Sequence, residues 1–294
     1  MSNVNNKILW VSDFDLDQAP GGAQRSDQLL IDKGRLLGLN IKKVNHETYN
    51  DIYTIHDYDL VVSTNICALY QKYPDLIQDL HNHRNHVRLE HDSNTYPSQE
   101  DRIALFSKCA KTIFLSEYHY SFFRELYSNF EERANVIFKN VEIIYDPIDT
   151  NLFYDRNQDR EDKILYVGYM HPLKGTSEFF EYALANPDKK FVIAGFTDQR
   201  IYHFMAHTVP NIEYLGLKSY EEMPDIYNKY AQMFYKPVCR EPFCRSAAEA
   251  ICCGVQLIGD PRHIGCLHEV QKVGIDKFRE KCNSAVSDFW KAIT

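Results

Sequence analysis

At 294 residues, with 44% hydrophobic and 25% charged side chains, the chain can build one or two globular domains with sizeable cores. No run approaches the about eighteen apolar residues of a membrane span, and MSNVNNKILW is too short and polar to read as a secretory leader. The net charge of −8 is uneven: residues 1–150 hold 15 Lys and Arg against 22 Asp and Glu, residues 151–294 hold 18 against 19, so the acidic first half argues against polyanions and anionic bilayers as partners. Eight scattered cysteines, two of them adjacent at Cys252 and Cys253, read as reduced thiols of a cytoplasmic protein.

Taken in order, the first half opens with a strand at Lys7–Ser12, the loop DFDLDQAPGGAQRSD, and a helix with Leu29, Leu30, Leu36 and Leu37 on one side. Strand, glycine-containing loop and helix form the opening of an α/β nucleotide-binding unit, and Gly21-Gly22 would let backbone approach a ligand closely. The spaced aspartates of DFDLD invite a hard cation, but Gln18 and Gln24 stand where an EF-hand needs Gly and Glu. A solvated acidic loop and no metal site is the expectation. Further strands fall at Leu60–Ser63, Val87–Glu90 and Thr112–Leu115, with one helix, ALYQKYPDLIQDL, between the first two.

The histidines of HNHRNH (His81–His86) lack a cysteine partner and read as a polar connector. His91 differs because it follows a strand, and ligands of open α/β sheets bind beyond strand C-termini. A capping pair with Asp92 is the alternative for it. VEIIYDPIDTNLFY then reads as strand, proline turn and exit, with a hinge over 149–162 where polar residues cluster.

The second half restarts with the strand Lys163–Tyr169 and HPLKGTSEFFEYAL, then strands at Phe191–Phe196 and Ile212–Lys218. Its centre is EPFCRSAAEAICCG, from Glu241 to Gly254, after the strand-like AQMFYKPV. Phe243, Cys244, Arg245 and Ser246 fall at a helix N-terminus, where unpaired amides and the dipole favour phosphate, and Arg245 adds a guanidinium. Ala247, Ala248 and Ala250 keep the helix thin, and Gly254 ends it. Two carboxylates, Glu241 and Glu249, flank the anion site, which suits a ligand with diols at both ends of a diphosphate; an ordinary buried helix whose glutamates pair with neighbours is the alternative. The last stretch spaces Phe278, Cys282, Ala285, Val286 and Phe289 helically.

The Glu241–Gly254 stretch resembles the E-x7-E motif of retaining glycosyltransferases of family 4, often EPFGRxxxEAxAxG. GGAQR resembles that family's GGAER-like loop, and EHDS at Glu90–Ser93 its H-D turn, whose histidine touches the donor sugar. In VGRxxxxKG the family has a phosphate-facing arginine and a lysine on the diphosphate; here Lys174-Gly175 keeps its place and Tyr169 replaces the arginine. A solvated helix-start lysine is the other reading of Lys174.

The resemblance implies an α/β GT-B fold: two Rossmann-like domains facing each other across a cleft. It places an acceptor-side domain at 1–150, a nucleotide-sugar domain at 151–275, and a helix at 276–294 returning to the first. It further implies Glu249 on the ribose hydroxyls, Glu241 on the sugar hydroxyls, and Lys174, Arg245 and the amides at Cys244–Ser246 on the diphosphate. It also implies Leu217 near the base, Gly21, Gly22, Tyr169 and Phe243 in the donor site with the residues just named, and Glu241, Lys174 and His91 as the catalytic residues. The implied reaction moves a sugar from a nucleotide-diphosphate sugar to an acceptor hydroxyl with retention, without metal or cofactor. A sugar-nucleotide epimerase or hydrolase of the same fold, or a non-catalytic nucleotide-sugar-binding module, would share these features. A dehydrogenase would need G-x-G-x-x-G after a strand, and none is present.

Overall fold

A computed structural model of the chain describes residues 6–50, 55–93, 99–128 and 138–294. The chain forms two units, Met1–Pro147 with Ser284–Thr294, and Ile148–Asn283. In the first unit the strands are β1 (Lys7–Val11), β2 (Asn40–Val44), β3 (Leu60–Ser63), β4 (His86–Glu90), β5 (Lys111–Phe114) and β6 (Val141–Ile143). They form one sheet in the order β2-β1-β3-β4-β5-β6, every pair parallel. Parallel pairing needs a crossover, supplied between β1 and β2 by the helix Gly22–Leu36. Ile8, Leu9, Trp10 and Val11 are fully buried, as expected of a central strand covered on both faces. The order reverses at β1, so the loops leaving β1 and β3 meet at the topological switch point.

Three local expectations change here. The strand Asn40–Val44 went unforeseen because Lys42 and Lys43 break its apolar pattern; charge is common on an edge strand, and β2 is an edge. ALYQKYPDLIQDL is two helices, Cys67–Lys72 and Leu76–Asn82, parted at Pro74, which lacks the amide to continue the first. The HNHRNH run does join that second helix to β4, but two of its histidines are not at the surface: His83 is buried, and His86 opens β4 with no exposure, its Nε2 2.7 Å from Ser63 Oγ. Burial, and then the Arg88 charge, push the His86 imidazole down to about 3.

The second unit has β7 (Glu161–Tyr169), β8 (Lys190–Phe196), β9 (Ile212–Gly216), β10 (Tyr230–Phe234) and β11 (Gln256–Ile258). They form a parallel sheet in the order β11-β10-β7-β8-β9. Here the order reverses between β7 and β10, so the loops leaving those two strands open at the switch point. The division between units lies at Pro147–Ile148. The polar run after it is bonded into the second unit: the Arg156 amide donates to Asn228 Oδ1 at 2.9 Å and Arg160 to the Tyr227 carbonyl at 2.9 Å.

The helix Ile275–Ile293 gives its first part to the second unit and residues 284–293 to the first. Phe278 stacks on Phe243 in the second unit, ring centroids 5.8 Å apart. In the first unit Trp290 Nε1 donates to the Leu30 carbonyl at 2.8 Å and its ring lies 6.4 Å from that of Trp10. Among the described residues no helix is long and apolar enough to cross a membrane.

Candidate functional site

In the second unit the loop leaving β7 carries Lys174 and the loop leaving β10 carries Glu241. The β7 loop closes with a short 3-10 turn, Pro172–Lys174, capped by Gly175 at φ 74°. A side chain at 175 would be strained at that angle and would run into the Lys236 carbonyl oxygen of the second loop. The two loops therefore touch through backbone, which carries Lys174 to Glu241: Nζ lies 2.6 Å from Oε1. Gly175→Ala is expected to destabilise the protein by about 3 kcal/mol or more, read as a fall in the urea midpoint at unchanged slope. An unmoved midpoint would mean that the loops separate freely.

Glu241 is held as well as paired. Its amide donates to the His263 carbonyl at 2.8 Å and its carbonyl accepts from the Gly265 amide at 3.0 Å, forming a parallel bridge with Ile264. Burial works against the Lys174 ammonium, but the charge and hydrogen bond of Glu241 outweigh it and raise its pKa. The ammonium and carboxylate thus stand side by side as ions, Glu241 buried and Lys174 partly open, with its side chain 42% exposed.

From Glu241 the chain turns into the helix Arg245–Cys252 through Cys244, whose backbone sits at φ 72°, ψ 88°. A non-glycine residue there costs of order 1 kcal/mol or more, and such strain concentrates at functional sites. Burial, then the Glu241 charge, push the Cys244 thiol up to about 11, so it is no ready nucleophile. Ala247, Ala248 and Ala250 are fully buried, so the helix packs close to its neighbours with little more than Cβ atoms between. As at any helix start, its first-turn amides lack intrahelical acceptors.

One helical turn separates Arg245 from Glu249, and the two face each other: Nε lies 3.1 Å from Oε1, an ion pair rather than an aligned hydrogen bond, with both groups buried. A second guanidinium nitrogen donates to the Tyr220 hydroxyl at 3.1 Å, and the fully buried Tyr227 hydroxyl donates to Glu249 Oε2 at 3.4 Å. Burial, and next the Glu249 charge, hold the Tyr227 phenol well above its ordinary value, so it stays a donor. Sequence spacing gave no signal for Tyr220 or Tyr227, which join Glu249 and Arg245 only in three dimensions.

The structure thus brings Lys174, Glu241, Cys244, Arg245, Ser246 and Glu249 onto two adjacent loops and one helix start. Three other candidates sit differently. The Phe243 side chain is core, stacked on Phe278, so only its backbone is available to a ligand. Tyr169 directs its hydroxyl to Asp198 at 2.5 Å and packs on Phe196 and His171. Leu217, 68% exposed, follows Gly216 at the end of β9.

In the first unit, Gly21 caps the helix Gly22–Leu36 with extended backbone, φ −104°. The DFDLD loop is less solvated than its composition suggests. Asp13 is buried and accepts from the Leu69 amide at 2.9 Å, while Asp15 pairs with Lys43 at 2.6 Å. No cluster of three or more metal-ligating side chains occurs among the described residues. His91 does not cap with Asp92; its Nε2 lies 2.9 Å from Asp27 Oδ1, and both side chains are buried.

This is the GT-B architecture, two Rossmann-like units in one chain, with the candidate site at the switch point of the second. Residues 149–293 match the family model for glycosyl transferases group 1. Among solved structures the chain is similar to HepE of Anabaena in complex with UDP and glucose, at 16% identity, TM-score 0.65, covering 98% of this chain and 92% of that one. It is also similar to sucrose-phosphate synthase of Thermosynechococcus elongatus, at 12% identity, TM-score 0.68, covering 98% and 96%. A third is the catalytic domain of starch synthase IV of Arabidopsis thaliana bound to ADP and acarbose, at 9% identity, TM-score 0.63, covering 98% and 99%. At such identities the likeness defines the fold. No curated protein matches the sequence.

Proposed function

We propose that this protein is a retaining hexosyl- or pentosyltransferase of the family-4 type, moving a sugar from a nucleotide-diphosphate sugar to an acceptor hydroxyl. The observation that carries this reading is the Lys174–Glu241 pair, 2.6 Å apart at the switch point, beside the amides of the Arg245–Cys252 helix. A diphosphate needs cations and N–H donors; a sugar needs a buried carboxylate to accept from its hydroxyls. Glu249, one helical turn further in, offers the same chemistry to a ribose diol, with Arg245 and Tyr227 fixing its two oxygens.

Negative charge grows on the departing diphosphate as the glycosidic bond breaks. Lys174, Arg245 and the amides at Cys244–Ser246 stabilise that charge, which is the catalytic device. The acceptor oxygen attacks from the face the diphosphate leaves, its proton passes to a leaving-phosphate oxygen, and configuration is retained. No side-chain nucleophile is required, which agrees with the raised pKa of Cys244. A phosphate site made of Lys174, Arg245 and amides calls for no metal or other cofactor, so EDTA is expected to leave turnover intact. The eight free thiols suit a reducing, cytoplasmic setting.

The test is thermal unfolding with UDP-, GDP- and ADP-sugars, followed by turnover of whichever binds. Specific binding raises stability by about 2.7 kcal/mol at a hundredfold excess over Kd. Sugar released or isomerised without acceptor would replace transfer with hydrolysis or epimerisation, and binding without turnover would leave a binding module.

A further inference from the structure

We propose that Arg160 is a positioning residue for the nucleotide: its guanidinium locks the helix that carries Glu249 to the helix that carries Tyr227, and so sets the Glu249 carboxylate. The nucleotide comes from the transferase reading, on which this role rests; the lock stands on geometry within the second unit. Arg160 immediately precedes β7, and the nine residues of that strand, about 30 Å of extended chain, separate it from the loop of Lys174. It therefore acts only through other residues. Nη1 donates to the carbonyls of Tyr227 at 2.9 Å and Tyr230 at 3.2 Å, where the helix Met223–Lys229 passes into β10. Nη2 donates to the Cys253 carbonyl at 2.5 Å and to Asp155 Oδ1 at 2.8 Å, with a longer contact of 3.4 Å to Asn228 Oδ1. Each of these nitrogens has two hydrogens, so the four short bonds use all of them. Cys253 ends the helix Arg245–Cys252, which has no basic residue in its own last turn; Arg160 brings the cation that its terminal carbonyls favour. Gly254, at φ 80°, makes room for this, because a side chain there would run into Asp155 and Arg160.

Both ends of the lock lead to Glu249. The Cys253 amide donates to the Glu249 carbonyl at 3.0 Å, one turn back along the helix. The Tyr227 hydroxyl donates to Glu249 Oε2, while the carbonyl of the same residue is the one Arg160 holds. That hydroxyl bond, at 3.4 Å, is already long, so a small slip of one helix along the other breaks it. The two helices have only eight and seven residues, and Tyr227 is fully buried with no room to re-aim its ring. A planar guanidinium reaches carbonyls of both helices and the Asp155 carboxylate at once. A lysine ammonium is a single point and keeps the charge without the fork.

The test is Arg160→Lys in the full chain. Affinity for the free nucleoside diphosphate is expected to fall about tenfold, the size of one charge-assisted hydrogen bond. With saturating nucleotide sugar, kcat is expected to stay within about threefold of wild type, because the loops of Lys174 and Glu241 leave the opposite end of the sheet. Added to Glu249→Gln, the substitution is expected to cost less than about threefold more, since both act on one carboxylate; a merely structural role would make the two losses multiply. Unchanged nucleotide affinity, or multiplying losses in folded proteins, overturns the positioning role. A ligand-free cycle reads the lock itself: the fall in urea midpoint caused by Tyr227→Phe is expected to shrink by about half or more in the Arg160→Lys background. A fall of the same size in both backgrounds overturns the lock. Should Arg160→Lys fail to fold, Asp155→Asn takes its place in both measurements, removing the counter-charge from Nη2. A loss of nucleotide affinity of about two- to threefold then supports the proposal, and no loss overturns it. If no nucleotide binds the wild type, the transferase reading fails, and the urea cycle alone still decides the lock.

Discussion

Replacing Glu249 by Gln is expected to weaken binding of the free nucleoside diphosphate by roughly 1.5–3 kcal/mol, while Glu241→Gln leaves that affinity nearly unchanged. The reason lies in where each carboxylate stands. Glu249 is buried one turn inside the helix, its oxygens set by Arg245 at 3.1 Å and Tyr227 at 3.4 Å, so a ribose diol binding there would lose charge-assisted hydrogen bonds. Glu241 is paired with Lys174 and, on the proposed reading, would act on a sugar that the free nucleotide lacks. Glu241→Gln should instead weaken the nucleotide sugar and slow transfer, through lost positioning at the reacting centre. Calorimetry with both ligands on both variants reads the split. Glu249→Gln also leaves a buried guanidinium without its counter-charge, so circular dichroism and urea midpoints must accompany it. Equal losses for both ligands in both folded variants would reduce the glutamates to structural ion pairs.

Lys174→Met is the second large effect. The ammonium is the partly exposed cation beside Glu241, and its pKa is raised, so it is fully charged at neutral pH. Charge on the leaving diphosphate grows most in the transition state, so the loss should fall on kcat, by about 10²–10³-fold, more than on the donor KM. Met keeps the length of the stem, which limits disturbance of the loop that Gly175 holds against Lys236. A kcat within about threefold of wild type would place the lysine outside the chemistry and support the alternative of a solvated helix-start residue.

Both experiments depend on groups whose identity is plain in the sequence and whose partners are not. Glu241, Glu249, Lys174 and Arg245 stand out from EPFCRSAAEA and LKG, because a tight turn into a small-residue helix is a local signal. Their pairing is long-range: Lys174 and Glu241 are 67 positions apart and meet because β7 and β10 are neighbours in the sheet. Tyr220 and Tyr227 come from the segment before β10 and carried no motif. Asp27 was hidden in the same way, 64 positions from the histidine it holds. Phe243 illustrates the reverse error: motif membership suggested a ligand contact, while the side chain fills the core against Phe278.

What the sequence determined by itself was the alternation of short apolar runs with helices, hence parallel α/β sheets in two units, and the turn into a helix start at Cys244–Ser246. These follow from periodicity, from glycine and proline placement, and from helix-end chemistry, all of which act within a few residues. Only the tertiary structure decided the strand order, the edge position of β2, the break at Pro74 within the 66–82 segment, and which charges neutralise which. Buried ionic partners are chosen by distance across the fold, because a charge removed from water must find its counter-charge wherever packing puts one. His91 is the clearest case: neighbouring Asp92 is adjacent in sequence, yet the buried carboxylate of Asp27, delivered by a different element, is the one that holds it.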